Sequence, residues 1–133
     1  MFHFRCDHIH LKAVDVEKTA KWCVEKPGAV ITFEGAFKGS KVRYLDIGGF
    51  TFVVFGQLEG EIGEAELIEP TLQTRFGADH FGFAVENMEE AVNHLRKEGV
   101  VILEEPWNPR PGLTICYIEA PDMARIELTQ RDS

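Results

Sequence analysis

Two of the five histidines recur at matched places in the chain. DHIHLKAVDVEKTAKWCVEKPGAVI begins at Asp7 and DHFGFAVENMEEAVNHLRKEGVVI begins at Asp79, an offset of 72 residues that superposes His8 on His80. A lone strand histidine is ordinarily a satisfied structural residue. Two at repeat-equivalent positions point to a shared task, because a neutral imidazole is a metal ligand and a base near neutral pH. A carboxylate joins them near the end of the chain. In Ala124-Arg125-Ile126-Glu127-Leu128-Thr129, strand alternation turns Ile126 and Leu128 one way and Arg125, Glu127 and Thr129 the other. Glu127, between apolar neighbours, needs a partner when buried, and a metal or an Arg would satisfy it. Two His and one Glu on one sheet face are a donor set for Zn or, with open positions, for Fe, Mn or Ni.

The elements that must position these residues follow from the same repeat. Each copy opens with an alternating apolar stretch, read as a strand. Ile9, Leu11 and Ala13 share one face and His8, His10 and Lys12 the other; Phe81, Phe83 and Val85 stand opposite His80, Gly82 and Ala84. Asp15 and Asn87 then take the capping position before two helical patterns, VEKTAKWCVEK and MEEAVNHLRKE. Val16, Ala20 and Cys23, and then Met88, Ala91, Val92 and Leu95, mark their apolar faces. Three further strands follow each helix. They are AVITFEG, KVRYLDI and FTFVVFG, with turns at Phe37-Lys38-Gly39 and Gly48-Gly49, and then VVILEE, LTICYIEA and ARIELTQ, separated by the loop PWNPRPG and a turn at Pro121-Asp122. Each half reads as βαβββ, and pairing two halves covers the sheet face that one would leave bare. The expected modules are residues 7–56 and 78–131. The acidic stretch 57–77, with five Glu, is read as a linker and a lid or dimer contact.

Several residues share the face of the histidine pair. His10 lies two residues from His8, about 6.5 Å along a strand, and an imidazole there would serve as general base or as a hydrogen-bonded wall residue. Lys12 on the same face would neutralise an anionic group of a ligand or sit at the rim in solvent. Arg125 would pair with Glu127 or grip an anionic substrate. Phe33, Tyr44, Phe55 and Tyr117 would furnish aromatic walls. Cys6 is read as a buried thiol, and His3 and His94 as surface residues.

Composition bounds these readings. The 133 residues form one domain, and 44% hydrophobic against 27% charged residues exclude disorder. Ten Phe and two Trp can fill a core without staples. A net charge of -8 argues against binding nucleic acid or an anionic membrane. No apolar run reaches the ~20 residues of a bilayer span, and the start MFHFRCDHIHLK lacks the apolar core of a signal peptide. Three widely spaced cysteines fit a reducing cytoplasm.

The two βαβββ halves, the two Asp-His starts and the ending EAPDMARIEL together resemble the vicinal oxygen chelate superfamily, over roughly Asp7 to Gln130. That group includes glyoxalase I, methylmalonyl-CoA epimerase, extradiol dioxygenases, fosfomycin-modifying thiol transferases and bleomycin-binding proteins. The resemblance implies an α+β fold whose two modules form a cupped mixed sheet with helices on the convex face, often in a homodimer. It implies metal ligands on the first strand of each module and on the last strand of the second, here His8, His80 and Glu127. It also places Tyr117, with Pro121 and Glu127, where extradiol dioxygenases carry a catalytic signature.

The departures are informative. Glyoxalase I and the epimerase take a fourth ligand from the last strand of the first module. Aligning FTFVVFGQ with ARIELTQR puts Val53 there, which cannot ligate, and Gln57 lies about 13 Å further along a strand. The upstream His of the dioxygenases is replaced by Asn108-Pro109-Arg110, Met123 replaces a turn Gly, and no His lies near Val53. The fosfomycin transferases carry Thr where this chain has His10. Two functions are therefore expected to compete. One is a metal-dependent enzyme of isomerase, lyase or oxygenase type, acting on a small oxygen-rich metabolite chelated to a divalent metal. The other is a metal-free protein that sequesters a drug or metabolite in an aromatic cleft.

Overall fold

The computed structural model describes residues 3–61 and 77–132. Most of the stretch read as a linker, residues 62–76, lies outside them, and so does its reading as lid or dimer contact. The chain forms two compact units, residues 1–66 and 67–133. In the first, β1 (His8–Lys12), α1 (Val16–Glu25), β2 (Val30–Phe37), β3 (Ser40–Ile47) and β4 (Phe50–Phe55) build a sheet of order β1-β4-β3-β2. In the second, β5 (Phe81–Ala84), α2 (Met88–Lys97), β6 (Ile102–Arg110), β7 (Leu113–Glu119) and β8 (Arg125–Arg131) build the order β5-β8-β7-β6. In both, the first strand runs parallel to the last and the remaining pairs are antiparallel. The α+β class and the βαβββ repeat expected from the sequence are both present. Among the described residues no helix is long and apolar enough to cross a membrane.

Local chemistry accounts for these elements. Asp15 Oδ1 accepts from the Lys18 N–H at 3.1 Å, and Asn87 Oδ1 from the Glu90 N–H at 3.0 Å, so each helix starts where its cap stands. Val16, Ala20 and Cys23 bury the inner face of α1 against β2, β3 and β4, with Leu45, Phe52 and Val54 beneath. Met88, Val92 and Leu95 do the same for α2, while Cys116, Ile118, Ile126 and Leu128 fill the core of the second unit. Lys38-Gly39 and Gly48-Gly49 all hold positive φ, the geometry of two-residue hairpins whose twist matches the strands.

Two expectations are corrected. The loop expected at PWNPRPG is largely strand: β6 runs through Pro106, Trp107, Asn108 and Pro109 to Arg110, with register shifts along its pairing to β7. It is an edge strand, so a proline without an N–H need not break a ladder on its open side. Cys6, expected to be buried, is exposed, because it precedes β1 in a segment with no regular structure to cover it.

Candidate metal centre

The second unit assembles a polar cluster around His80, which immediately precedes β5. The parallel pairing of β5 with β8 sets Gly82 opposite Glu127. A Cβ at Gly82 would lie 3.1 Å from the Glu127 carbonyl oxygen, so glycine leaves room for the carboxylate strand. His80 Nε2 lies 2.7 Å from Glu127 Oε2, and Nδ1 lies 2.6 Å from Asp79 Oδ2. Glu127 also accepts from the Tyr117 hydroxyl at 3.1 Å and from Thr129 Oγ1 at 3.0 Å. Burial, then the bond to Glu127 and the charge of that carboxylate, push the Tyr117 hydroxyl up to about 12. It is therefore a fixed donor at physiological pH. Arg125, only 8% exposed, forms its ion pair with Asp79, and its guanidinium lies 5.2 Å from the Tyr117 ring centroid.

The first unit carries a matching but barer arrangement. His8 Nδ1 lies 2.7 Å from Asp7 Oδ2, in the same Asp-His pairing. Asp7 is 91% exposed there, against 21% for Asp79. His10 pairs in register with Val53, the place that Gly82 and Glu127 hold in the second unit, so the two last strands align as the sequence suggested. The His10 ring meets His8 and Phe55, each at 4.9 Å between centroids. Burial, and then the nearby His8, hold its basicity below the ordinary imidazole value. Lys12 forms an ion pair with Glu61, whose carboxyl is held below its usual range by that contact and by the Leu58 N–H.

His80, Glu127, Tyr117 and Arg125 thus come together in the second unit, and His8, His10, Lys12 and Phe55 in the first. Among the described residues, neither unit by itself gathers three His, Cys, Asp or Glu side chains into a metal-holding group. His3 and His94 are exposed, as expected. Asp7, Asp79 and Thr129 carry hydrogen bonds for which the sequence reading gave them no role. The repeated Asp-His dipeptide was the available signal for the first two.

The fold has counterparts among known proteins. A family model described as the Glyoxalase/Bleomycin resistance protein/Dioxygenase superfamily matches residues 5–128. No curated protein matches the chain. Among solved structures, SMU.1112c aligns with a TM-score of 0.77 at 20% identity, covering 96% of this chain and 98% of that one. The fosfomycin resistance protein FosX of Listeria monocytogenes aligns at 0.74 and 20% identity, covering 98% and 96%. A glyoxylase/bleomycin resistance protein/dioxygenase domain from Frankia sp. EAN1pec aligns at 0.75 and 18% identity, covering 99% of each chain. With the family model spanning nearly its whole length, the chain belongs to the glyoxalase, bleomycin resistance protein and dioxygenase superfamily.

Proposed function

We propose that this chain is a metal-dependent enzyme in which His8, His80 and Glu127 hold one divalent ion, and that it acts on a small molecule offering two vicinal oxygens. The observation that carries this reading is the 2.7 Å separation of His80 Nε2 and Glu127 Oε2. Two donors at about 2.1 Å from one ion and at right angles to each other stand about 3 Å apart. Asp79 occupies Nδ1, which leaves Nε2 as the ligating atom. The nitrogen and oxygen donors suit Mn, Fe, Zn or Ni. A FosX structure from Listeria monocytogenes contains Mn(II) and 1S,2S-dihydroxypropylphosphonic acid, a diol phosphonate, which supports the same ligand class here. His8 completes the set when the two modules pair, within one chain or between two copies in a homodimer, which sedimentation at micromolar concentration would reveal.

A bound divalent ion would polarise the chelated oxygens and acidify an adjacent C–H. The protein's own groups do the rest. His10, neutral near pH 7, accepts the proton. Phe55 walls His10, and Lys12 meets the anionic end of the substrate by exchanging its contact with Glu61. Tyr117 spends its one hydroxyl proton on Glu127 and so holds that carboxylate in its ligating orientation. Isomerase or lyase chemistry fits these parts better than oxygenation. Asn108, near the place of the dioxygenase His, spends its amide on Leu113 O and Thr114 Oγ1 across the β6–β7 hairpin.

A second reading rests on Val53, which is buried and offers no donor, and on Phe33 and Tyr44, exposed and in edge-to-face contact at 5.4 Å. These would suit a metal-free cleft that sequesters a small molecule. One experiment separates the two: Mn(II) titrated into metal-free protein, followed by addition of acetohydroxamate, a bidentate oxygen ligand, with water-proton relaxation as the signal. The enzyme reading predicts one bound Mn(II) per chain and a fall in relaxivity as the hydroxamate displaces water. No Mn(II) binding, together with none of Zn, Fe or Ni, would leave the sequestering protein.

A further inference from the structure

The two modules are built alike, yet only one of them locks its histidine. In the second, Arg125 on β8 forms an ion pair with Asp79, and Asp79 Oδ2 holds His80 Nδ1 at 2.6 Å. The Arg125 side chain is 8% exposed, and its guanidinium also packs over the Tyr117 ring, whose hydroxyl bonds Glu127. In the first, Asp7 holds His8 Nδ1 at 2.7 Å but is 91% exposed. The strand registers show why. His10 pairs with Val53 as Gly82 pairs with Glu127, so the residue at the place of Arg125, two before Glu127, is Thr51, two before Val53. Threonine brings neither charge nor reach.

Resting on the metal-site reading above, we propose that Arg125 and Asp79 are positioning residues that preform the second module's half of the site. They fix the ring of His80 and, through Tyr117, the carboxylate of Glu127, while His8 is set by a solvent-exposed Asp7 and completes the site on loading. An outer carboxylate on a ligating histidine is worth roughly 10- to 100-fold in metal affinity. A half-buried one anchored by a planar two-pronged cation keeps its geometry, whereas an exposed one exchanges with water and contributes less.

The test is Mn(II) affinity of the full chain, read by the electron paramagnetic resonance of free Mn(II), for Asp79→Asn, Asp79→Ala, Asp7→Asn, Arg125→Lys and Arg125→Met. His80→Ala and Glu127→Ala serve as references. The expected losses are about 10-fold or more for Asp79→Ala, less for Asp79→Asn, which keeps an oxygen acceptor, and smaller still for Asp7→Asn. Arg125→Lys should retain more affinity than Arg125→Met. A second readout is the downfield Nδ1 proton of His80 in the Zn(II)-loaded chain, which should persist in Asp7→Asn and disappear in Asp79→Ala. If the two references lose Mn(II) while the Asp79 and Arg125 variants bind like the parent, the clamp is overturned and the metal site stands. If the references also bind like the parent, the metal site fails and the clamp's role falls with it. Should Arg125→Met not fold, Arg125→Lys and Asp79→Asn decide the matter by the same two readouts.

Discussion

His80 Nε2 and Glu127 Oε2 stand 2.7 Å apart although the residues lie 47 positions apart in the chain. The pairing that brings them together is parallel, between a strand that follows His80 and one that contains Glu127. Each side chain is also fixed from behind, His80 by Asp79 and Glu127 by Tyr117 and Thr129. Two donors held at this separation, each with its other polar atoms engaged, are what the proposed metal site requires of its second module.

Tyr117→Phe removes the 3.1 Å bond to Glu127 and keeps the ring against His80. A hydrogen bond to a charged group contributes about 1.5–3 kcal/mol, and partial exposure lowers that, so a loss of about 1–2 kcal/mol in urea unfolding is expected. Mn(II) affinity should fall several-fold, because Glu127 then has one fewer hydrogen bond to orient it. Affinity equal to that of the parent would remove Tyr117 from the site.

His10→Ala should keep metal binding and abolish turnover, since the proposal makes the ring a base and not a ligand. The sign of its pH dependence follows from its environment. Burial and His8 disfavour the charged ring, so the unfolded chain takes up this proton first as pH falls. The group's contribution to stability is present above the unfolded value and is lost as pH drops through the folded one. In the metal-free chain, the nuclear magnetic resonance titration of His10 should have its midpoint below the ordinary 6.5. A midpoint at or above that value would contradict its assignment as a base neutral near pH 7.

The repeat, both helix caps, the hairpin turns and the alternation that sets His8 and His10 on one face were legible because each is a local pattern. Glu127 was legible as a charged residue between Ile126 and Leu128, which demanded a partner. The partner of Arg125 was not legible. Strand alternation puts Arg125 and Glu127 on one face, but the register between β5 and β8 decides that its guanidinium meets Asp79. Registers between strands more than 40 residues apart are set by the folded sheet. The extension of β6 was hidden for a related reason. Pro106 and Pro109 read as breakers until the sheet order shows the strand to be an edge.

Three cysteines in different settings give a simple check on the fold. Cys6 is exposed, while Cys23 and Cys116 are buried and burial pushes each thiol up to about 11. A thiol reagent at pH 8 should label one cysteine per native chain and three after unfolding. The raised values also fix an alkaline sign. The protonated thiols contribute fully below their unfolded value near 9, and stability falls as pH rises toward 11. Rapid labelling of all three in the native chain would contradict the packing of α1 and β7.

Met123 holds φ at +61° and Asp122 at +59° in the short turn between β7 and β8. A left-handed conformation costs a residue with a Cβ about 1–2 kcal/mol, which glycine avoids at some cost in chain entropy. Met123→Gly, which restores the glycine of the extradiol dioxygenase signature at this turn, should raise stability by up to about 1 kcal/mol. A loss in thermal unfolding would show that the Met123 side chain contributes more by packing than its backbone costs.

The account's central claim is one ion held by His8, His80 and Glu127, and a crystal structure of the chain grown with Zn(II) or Mn(II) tests it most directly. The predicted result is a single ion about 2 Å from Nε2 of both histidines and from a Glu127 carboxylate oxygen, within one chain or across two copies. An ion bound elsewhere, or His8, His80 and Glu127 side chains more than about 5 Å from one another in a fully loaded crystal, would contradict it.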